Sequence, residues 1–241
     1  MIFFMKYIKL FETISEYNTW LNSNDYITPY VATDKESKKV LYQTKKFYDA
    51  EIKYLYVNGS KGCYIDTGIT PDANTGVYAK LYTSRSNDEY IIGLRNDTTD
   101  TRWLIGHNDI GWYCGYGEAI HIEDNRNPYT NAIYEIELNF KNSKKMSNLT
   151  NDTYKNLPIL NFIPENSITL FKANCFDNNL INQSFMTASC RIYEVKISQG
   201  NNIIMHLIPV RKDGVGYMFD KISKHLFSNQ GTGTFILGPD K

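Results

Sequence analysis

The stretch IIMHLIPVRKDGVGYMFDKISKHLFSNQGTGTFILG, Ile203 to Gly238, decides the fold. Its first run, Ile203 to Ile208, is short, apolar and β-branched, which suits a buried strand. Pro209 is expected to close that run, because proline cannot donate to a sheet ladder. Asp213-Gly214 then reads as a tight turn, since glycine tolerates the positive φ that a hairpin demands. Tyr217 to Phe219 and His225 to Phe227 read as two further strands. Gly231-Thr232-Gly233 turns the chain again before a last strand, Thr234 to Leu237. Strands and turns packed this closely describe the closing meander of an all-β domain.

Working outward, the same grammar repeats. Val77, Ala79 and Leu81 alternate with Tyr78, Lys80 and Tyr82, the pattern of a half-buried strand. Tyr90 to Leu94 and Arg102 to Ile105 follow, separated by a polar loop at Asn96 to Asp100. Ile133 to Phe140 alternates with Tyr134, Ile136 and Leu138 on one side and Ile133, Glu135 and Glu137 on the other. Glu135 and Glu137 therefore read as a solvated face and not as a catalytic pair. The Asn- and Lys-rich run from Lys141 to Leu157 is expected to be a surface excursion. The expected architecture is a two-layer antiparallel sandwich in which Tyr64 to Ile69, Ile133 to Phe140, Arg191 to Ile197 and Ile203 to Ile208 are strands.

The run GYMFDKISKHLFSNQGTGTF (Gly216 to Phe235) resembles the closing motif of a concanavalin A-like (laminin-G-like) jelly-roll domain of tailed-phage structural proteins. GCYIDTGITP (Gly62 to Pro71) resembles that domain's opening strand. Two weaker pieces, ITLFKAN (Ile168 to Asn174) and RIYEVKI (Arg191 to Ile197) leading to Ile208-Pro209-Val210-Arg211, fall between them in the family's order. The resemblance spans about residues 53 to 238. It implies an all-β jelly roll over residues 51–241 and a virion-surface protein of head-fibre, decoration or tail-fibre type. It also implies other capsid or fibre subunits as partners and a homo-oligomer, a dimer or trimer, on a symmetry axis. Laminin-G-type domains often bind calcium, but no acidic motif here receives those ligands, so no cofactor and no metal are expected.

Residues 1–50 are distinct. MIFFMKYIKLF is broken by Lys6 and Lys9 and is too short to span a bilayer, so neither a secretory leader nor membrane insertion is expected. Thr13 and Glu16 have capping-box spacing and start a helix over residues 13–22. Ile14, Tyr17 and Leu21 lie on one face of it, with Trp20 beside them. Tyr30 to Thr33 and Lys39 to Tyr42 then make a small hairpin. A helix and one hairpin cannot bury a core of their own. The segment either folds back on the sandwich or docks on another subunit. FETISEYNTW (Phe11 to Trp20) resembles short N-terminal segments of phage fibre and tail proteins, which favours docking, with Phe11, Tyr17, Trp20 and Leu21 as the attachment residues.

Composition excludes several classes. Lys+Arg and Asp+Glu stand at 26 each, so no global field recruits nucleic acid. Cys63, Cys114, Cys175 and Cys190 are scattered and read as buried free thiols. A jelly-roll glycosidase needs two carboxyl groups at groove spacing. Its E-x-D-x-x-E run is missing, and Glu118, Glu123 and Asp124 have the wrong intervals, so no catalysis is expected. The histidines His107, His206 and His225 lie in separate segments, and His121 with Glu123 is too small a set for zinc. One binding candidate remains in IGWYCGYG (Ile110 to Gly117), where Trp112, Tyr113 and Tyr116 would stack on host glycans if exposed. The alternative is that Trp112 and Cys114 are core, as Trp103 is expected to be.

Overall fold

In the computed structural model the described residues are 30–33, 40–43, 47–58, 62–83, 89–96, 101–107, 111–123, 133–139, 145–148, 150, 153–157, 163–172, 174–175 and 189–241. They contain no helix; the helix expected over 13–22 lies outside them. The chain divides into two compact units, Met1–Phe47 and Tyr48–Lys241. In the first, β1 (Tyr30–Thr33) pairs antiparallel with β2 (Val40–Gln43), from Tyr30 opposite Gln43 to Thr33 opposite Val40.

The second unit is an all-β sandwich. Its strands are β3 (Ala50–Glu51), β4 (Leu55–Tyr56), β5 (Ile65–Asp66), β6 (Thr75–Thr83), β7 (Glu89–Asn96), β8 (Thr101–His107), β9 (Gly111–Glu123) and β10 (Tyr134–Asn139). They continue with β11 (Lys145–Asn148), β12 (Thr153–Asn156), β13 (Thr169–Leu170), β14 (Asn174–Cys175), β15 (Cys190–Gln199), β16 (Asn202–Lys212), β17 (Val215–Asp220), β18 (Leu226–Phe227) and β19 (Ile236–Leu237). One sheet runs β12-β11-β10-β6-β15-β16-β17-β18, with β4 and β19 added beside β15 and β3 beside β16. The other runs β5-β13-β7-β8-β9. Pairing is antiparallel except for two-residue β14, which lies parallel on β7.

The alternation read from the sequence explains the core. Val77, Ala79 and Leu81 of β6 and Tyr134, Ile136 and Leu138 of β10 are buried, as are Ile192, Val195 and Ile197 of β15. They meet Ile92, Leu94, Trp103, Ile105 and Trp112 of the second sheet in one hydrophobic cluster. Cys63, Cys114 and Cys190 are buried free thiols, and burial pushes the Cys114 thiol up to about 12. Glu135 lies on the solvent side in an ion pair with Lys80 at 2.9 Å.

Three strand expectations need correction. Pro209 does not end its strand; β16 continues to Lys212 and keeps its pairing with β17 throughout. Pro209 accepts a hydrogen bond from the Ile52 amide at 3.1 Å. Because a strand residue's N–H and C=O point to the same side, the missing donor falls on this short flanking segment and not on β17. Within the run 141–157, expected as a surface excursion, Lys145–Asn148 and Thr153–Asn156 are strands that extend the edge of the large sheet from β10. Polar, Lys-bearing composition is what an edge strand needs to resist further pairing. Tyr64 to Ile69 supplies only the two residues of β5. Arg191 to Ile197 is a strand as expected, within β15, and its register against β6 shifts between Ile192 and Glu194. The Asp213-Gly214 turn holds: φ is 51° and 76°, and Lys212 faces Val215, the geometry of a type I′ hairpin.

What closes the sandwich is the packing of the late chain on the early chain. The Asn229 side chain accepts from the amides of Tyr64 (3.0 Å) and Gly231 (2.9 Å), and donates to the carbonyls of Gly231 and Gly233. The Gln230 amide donates to the Tyr64 carbonyl at 2.9 Å. A Cβ on Gly231 would lie 1.6 Å from the Gly62 carbonyl oxygen, so glycine alone permits the approach. Beyond this loop β19 pairs with β4, and the Lys53, Gly238 and Lys241 amides donate to Pro239, Tyr54 and Glu51 in turn. Gly231→Ala should therefore destabilise the fold by roughly 2–3 kcal/mol, a core overpacking cost. Urea denaturation measures this as a lowered midpoint with unchanged slope; an unshifted midpoint means that the loop does not pack on Gly62.

Candidate functional site

The outward face of the large sheet gathers the chemistry. Its rows alternate with the buried residues: Tyr78, Lys80 and Tyr82 on β6, and Arg191, Glu194 and Lys196 on β15. The register shift in β15 is a β-bulge, with one extra residue, Tyr193, between Ile192 opposite Leu81 and Glu194 opposite Lys80. The extra residue lets Tyr193 and Glu194 both leave the core, so neighbouring side chains share one face.

Arg191 is the centre of an aromatic group. Its guanidinium carbon lies 4.8 Å from the ring centre of Tyr54, 4.6 Å from that of Tyr82 and 5.7 Å from that of Tyr56. Cation–π attraction of this kind contributes about 0.5–2 kcal/mol per ring. Tyr193 meets Tyr54 edge to face at 5.4 Å. Lys196 lies 4.7 Å from the Tyr78 ring centre.

Beside this group is a cleft of about 360 Å³, lined by Glu51, Lys53, Lys80, Tyr193, Glu194, His206, Ile208, Lys221 and Lys241. Glu194 is its hub. One carboxylate oxygen lies 2.7 Å from His206 Nε2 and 3.0 Å from Lys196 Nζ. Burial works to raise this carboxyl, but the hydrogen bonds from Lys196 and His206 outweigh it and hold the group below the ordinary glutamate value. It is an ionised acceptor at neutral pH.

The walls come from the segments that close the sandwich. The Lys53 amide is held by Pro239 and the Lys241 amide by Glu51. Lys221 is carried in by a turn built on Asp220, a buried carboxylate that accepts from the amides of His206 (2.8 Å), Ile222 (3.1 Å) and Ser223 (2.9 Å). Burial alone would raise the Asp220 carboxyl; the bonds from Ser223, His206 and Ile222 reverse the direction and lower it. The same turn lets the Lys221 amide donate to the His206 carbonyl at 2.8 Å. The lysine is thereby fixed at the rim by backbone.

The glycan reading of Ile110 to Gly117 is corrected at its main residue. Trp112 is only 1% exposed. Its ring is enclosed by His107 at 4.9 Å and Tyr134 at 5.3 Å, both edge to face, so no indole face is open to a sugar. Trp103 is also core. Tyr113 and Tyr116 lie on β9 opposite Gly106 and Trp103. Their side chains lie outside the described residues, as do those of Glu118, His121 and Glu123 on the same strand. Asp124 and the attachment residues Phe11, Tyr17, Trp20 and Leu21 also lie outside them. His107 is buried, His206 is in the cleft, and His225 packs on Phe227 at 4.8 Å, so three histidines do different work. Among the described residues, no three His, Cys, Asp or Glu side chains form a metal-sized group.

Sequence reasoning missed the cleft. One signal was present: in RIYEVKI the apolar spacing goes from three (Ile192 to Val195) to two (Val195 to Ile197), which marks an inserted residue. No protein-family model matches the chain, and comparison with curated proteins finds no match.

Trp112→Ala should lower stability by about 3–5 kcal/mol, the cost of a large buried cavity. Thermal or urea unfolding of the variant measures it. A variant as stable as the parent would return Trp112 to the surface.

Proposed function

We propose that this chain is a non-enzymatic structural protein of a tailed-phage virion, of the head-fibre or decoration type. In this reading Tyr48–Lys241 is a concanavalin A-like jelly roll displayed at the particle surface. Residues 1–47 attach it through Phe11, Tyr17, Trp20 and Leu21, and the displayed form is a homo-oligomer. The observation that carries the reading is the meeting of Gly62–Pro71 with Gly216–Phe235, the two runs on which the family resemblance rests. Tyr64 is bonded to Asn229 and Gln230, and Gly62 lies against Gly231. The resembling residues are thus the ones with a joint structural task, closing one sandwich.

The carboxylates of the large sheet's outer face and its turns favour a structural role over a catalytic one. Glu135 is tied to Lys80, Glu194 to His206 and Lys196, and Asp220 to three backbone amides. Asp72 is occupied by Asn74, Thr75 and Gln199. Each of these four has its carboxyl held below the ordinary value, the opposite of a proton-donating acid.

Truncation tests the reading. The start belongs at Tyr48, because Tyr48 packs on Phe219 at 4.9 Å and Asp49 bonds Arg211 and Asp213. The truncated chain should remain soluble and β-rich by circular dichroism yet fail to bind phage particles. Trp20→Ala in the full chain should weaken binding by roughly 2 kcal/mol or more, as expected of an aromatic anchor. Unfolding of the truncated chain together with normal attachment of Trp20→Ala would overturn it. So would polysaccharide cleavage by the purified protein.

A further inference from the structure

The cleft on the large sheet has a composition that neither sheet closure nor particle attachment uses. Four lysines line it against two glutamates, and one glutamate, Glu194, already has Lys196 and His206 as partners. Lys80 is spoken for by Glu135, and Lys241 by Glu51 at a loose 3.8 Å. Lys53 and Lys221 are exposed and, among the described residues, have no carboxylate partner. Two cations on backbone-pinned segments thus line the same cleft. Pinning matters, because the entropy cost of holding a charge in place is partly met before any ligand arrives.

The floor adds a second kind of recognition. Glu194 is an ionised acceptor whose bonds to Lys196 and His206 fall on one carboxylate oxygen, His206 lines the cleft beside it, and Tyr193, the extra residue of the bulge, supplies an amphipathic ring. Carboxylate, imidazole and phenol together suit hydroxyl groups that both donate and accept, while the ring suits an apolar C–H face. The volume lies within the roughly 300–1,000 Å³ of small-molecule clefts. An anion alone would use only the lysines, and a neutral sugar would leave them without a role.

We propose that the cleft formed by Lys53, Lys221, Tyr193, Glu194 and His206 binds an acidic saccharide, a sugar carrying a carboxylate or a phosphate. Lys53 and Lys221 bind the anionic group as point charges, Glu194 and His206 bind hydroxyls, and Tyr193 stacks on the ring. The site is separate from Trp112, Tyr113 and Tyr116, and the inference does not depend on the protein's being part of a particle.

Isothermal titration of the purified full chain tests it with four probes: trigalacturonate, a glycerol-phosphate oligomer, neutral maltotriose and inorganic phosphate. The expected result is saturable binding of trigalacturonate or of the glycerol-phosphate oligomer, weakened by added salt, with maltotriose and inorganic phosphate weaker. Which of the two acidic probes binds tells carboxylate from phosphate. Replacing Lys53 and Lys221 together by Ala should weaken binding at least about tenfold, the equivalent of one charge-assisted hydrogen bond. Both positions are exposed, so the variant should fold, which circular dichroism checks. Lys212→Ala, at the end of β16 and outside the cleft, should bind as the parent does. Binding of neither acidic probe overturns the proposal, as does maltotriose or inorganic phosphate binding equally well. Unchanged affinity in the double variant also overturns it.

Discussion

The contact on which the rest of this structure depends is that of the Asn229 side chain and Gly231 with Gly62 and Tyr64. A sandwich whose ends are far apart in sequence must bring them together, at a cost in chain entropy that grows with the loop closed. Here the loop is nearly the whole second unit, since Tyr64 and Asn229 are 165 residues apart. The Tyr64 amide's bond to Asn229, three more bonds that hold the Asn229 side chain within its own loop, and the absence of a Cβ at position 231 make that closure specific. The β4–β19 pairing and the Ile52–Asp240 bridge then continue it along the edge of β15.

The same closure builds the outward face. Lys53 and Lys241 stand at the cleft because their backbones belong to this terminal pairing, and Lys221 because Asp220 holds the turn after β17. Phe171 belongs to the same arrangement. It has φ of 68°, costly for a bulky residue, yet it is buried against Phe235 with its amide bonded to Ile91. Its neighbour Thr169 donates to the Lys172 carbonyl and holds the bend. Closure contacts on both sides over-determine this conformation.

Much of the fold was legible because simple rules acted alone. Asp213-Gly214 demanded positive φ and had it; β6 and β10 alternated and were buried on the alternating side. The rules failed where two competed. Pro209 reads as a strand end from its missing donor, but that donor falls where β15 has stopped pairing and only short β3 and its continuation lie alongside. The 141–157 run reads as a surface excursion from polarity, yet polarity is also how paired edge strands such as β11 and β12 avoid further pairing. Trp112 reads as core ahead of a sugar platform, and the packing of His107 and Tyr134 decides for core. The cleft was the least legible part. Its residues come from β3, the link between β3 and β4, β6, β15, β16, the turn after β17 and Lys241, a combination that exists only once the register and its bulge are known.

Native-state hydrogen exchange tests the closure account most directly. The amides of Tyr64, Gln230, Gly231 and Gly238 should exchange only by global unfolding, with the same free energy and denaturant dependence as the core amides of β6 and β15. Exchange of these four by a separate local opening, while β6 and β15 remain protected, would contradict it: the sandwich would then stand without the interlock of its ends.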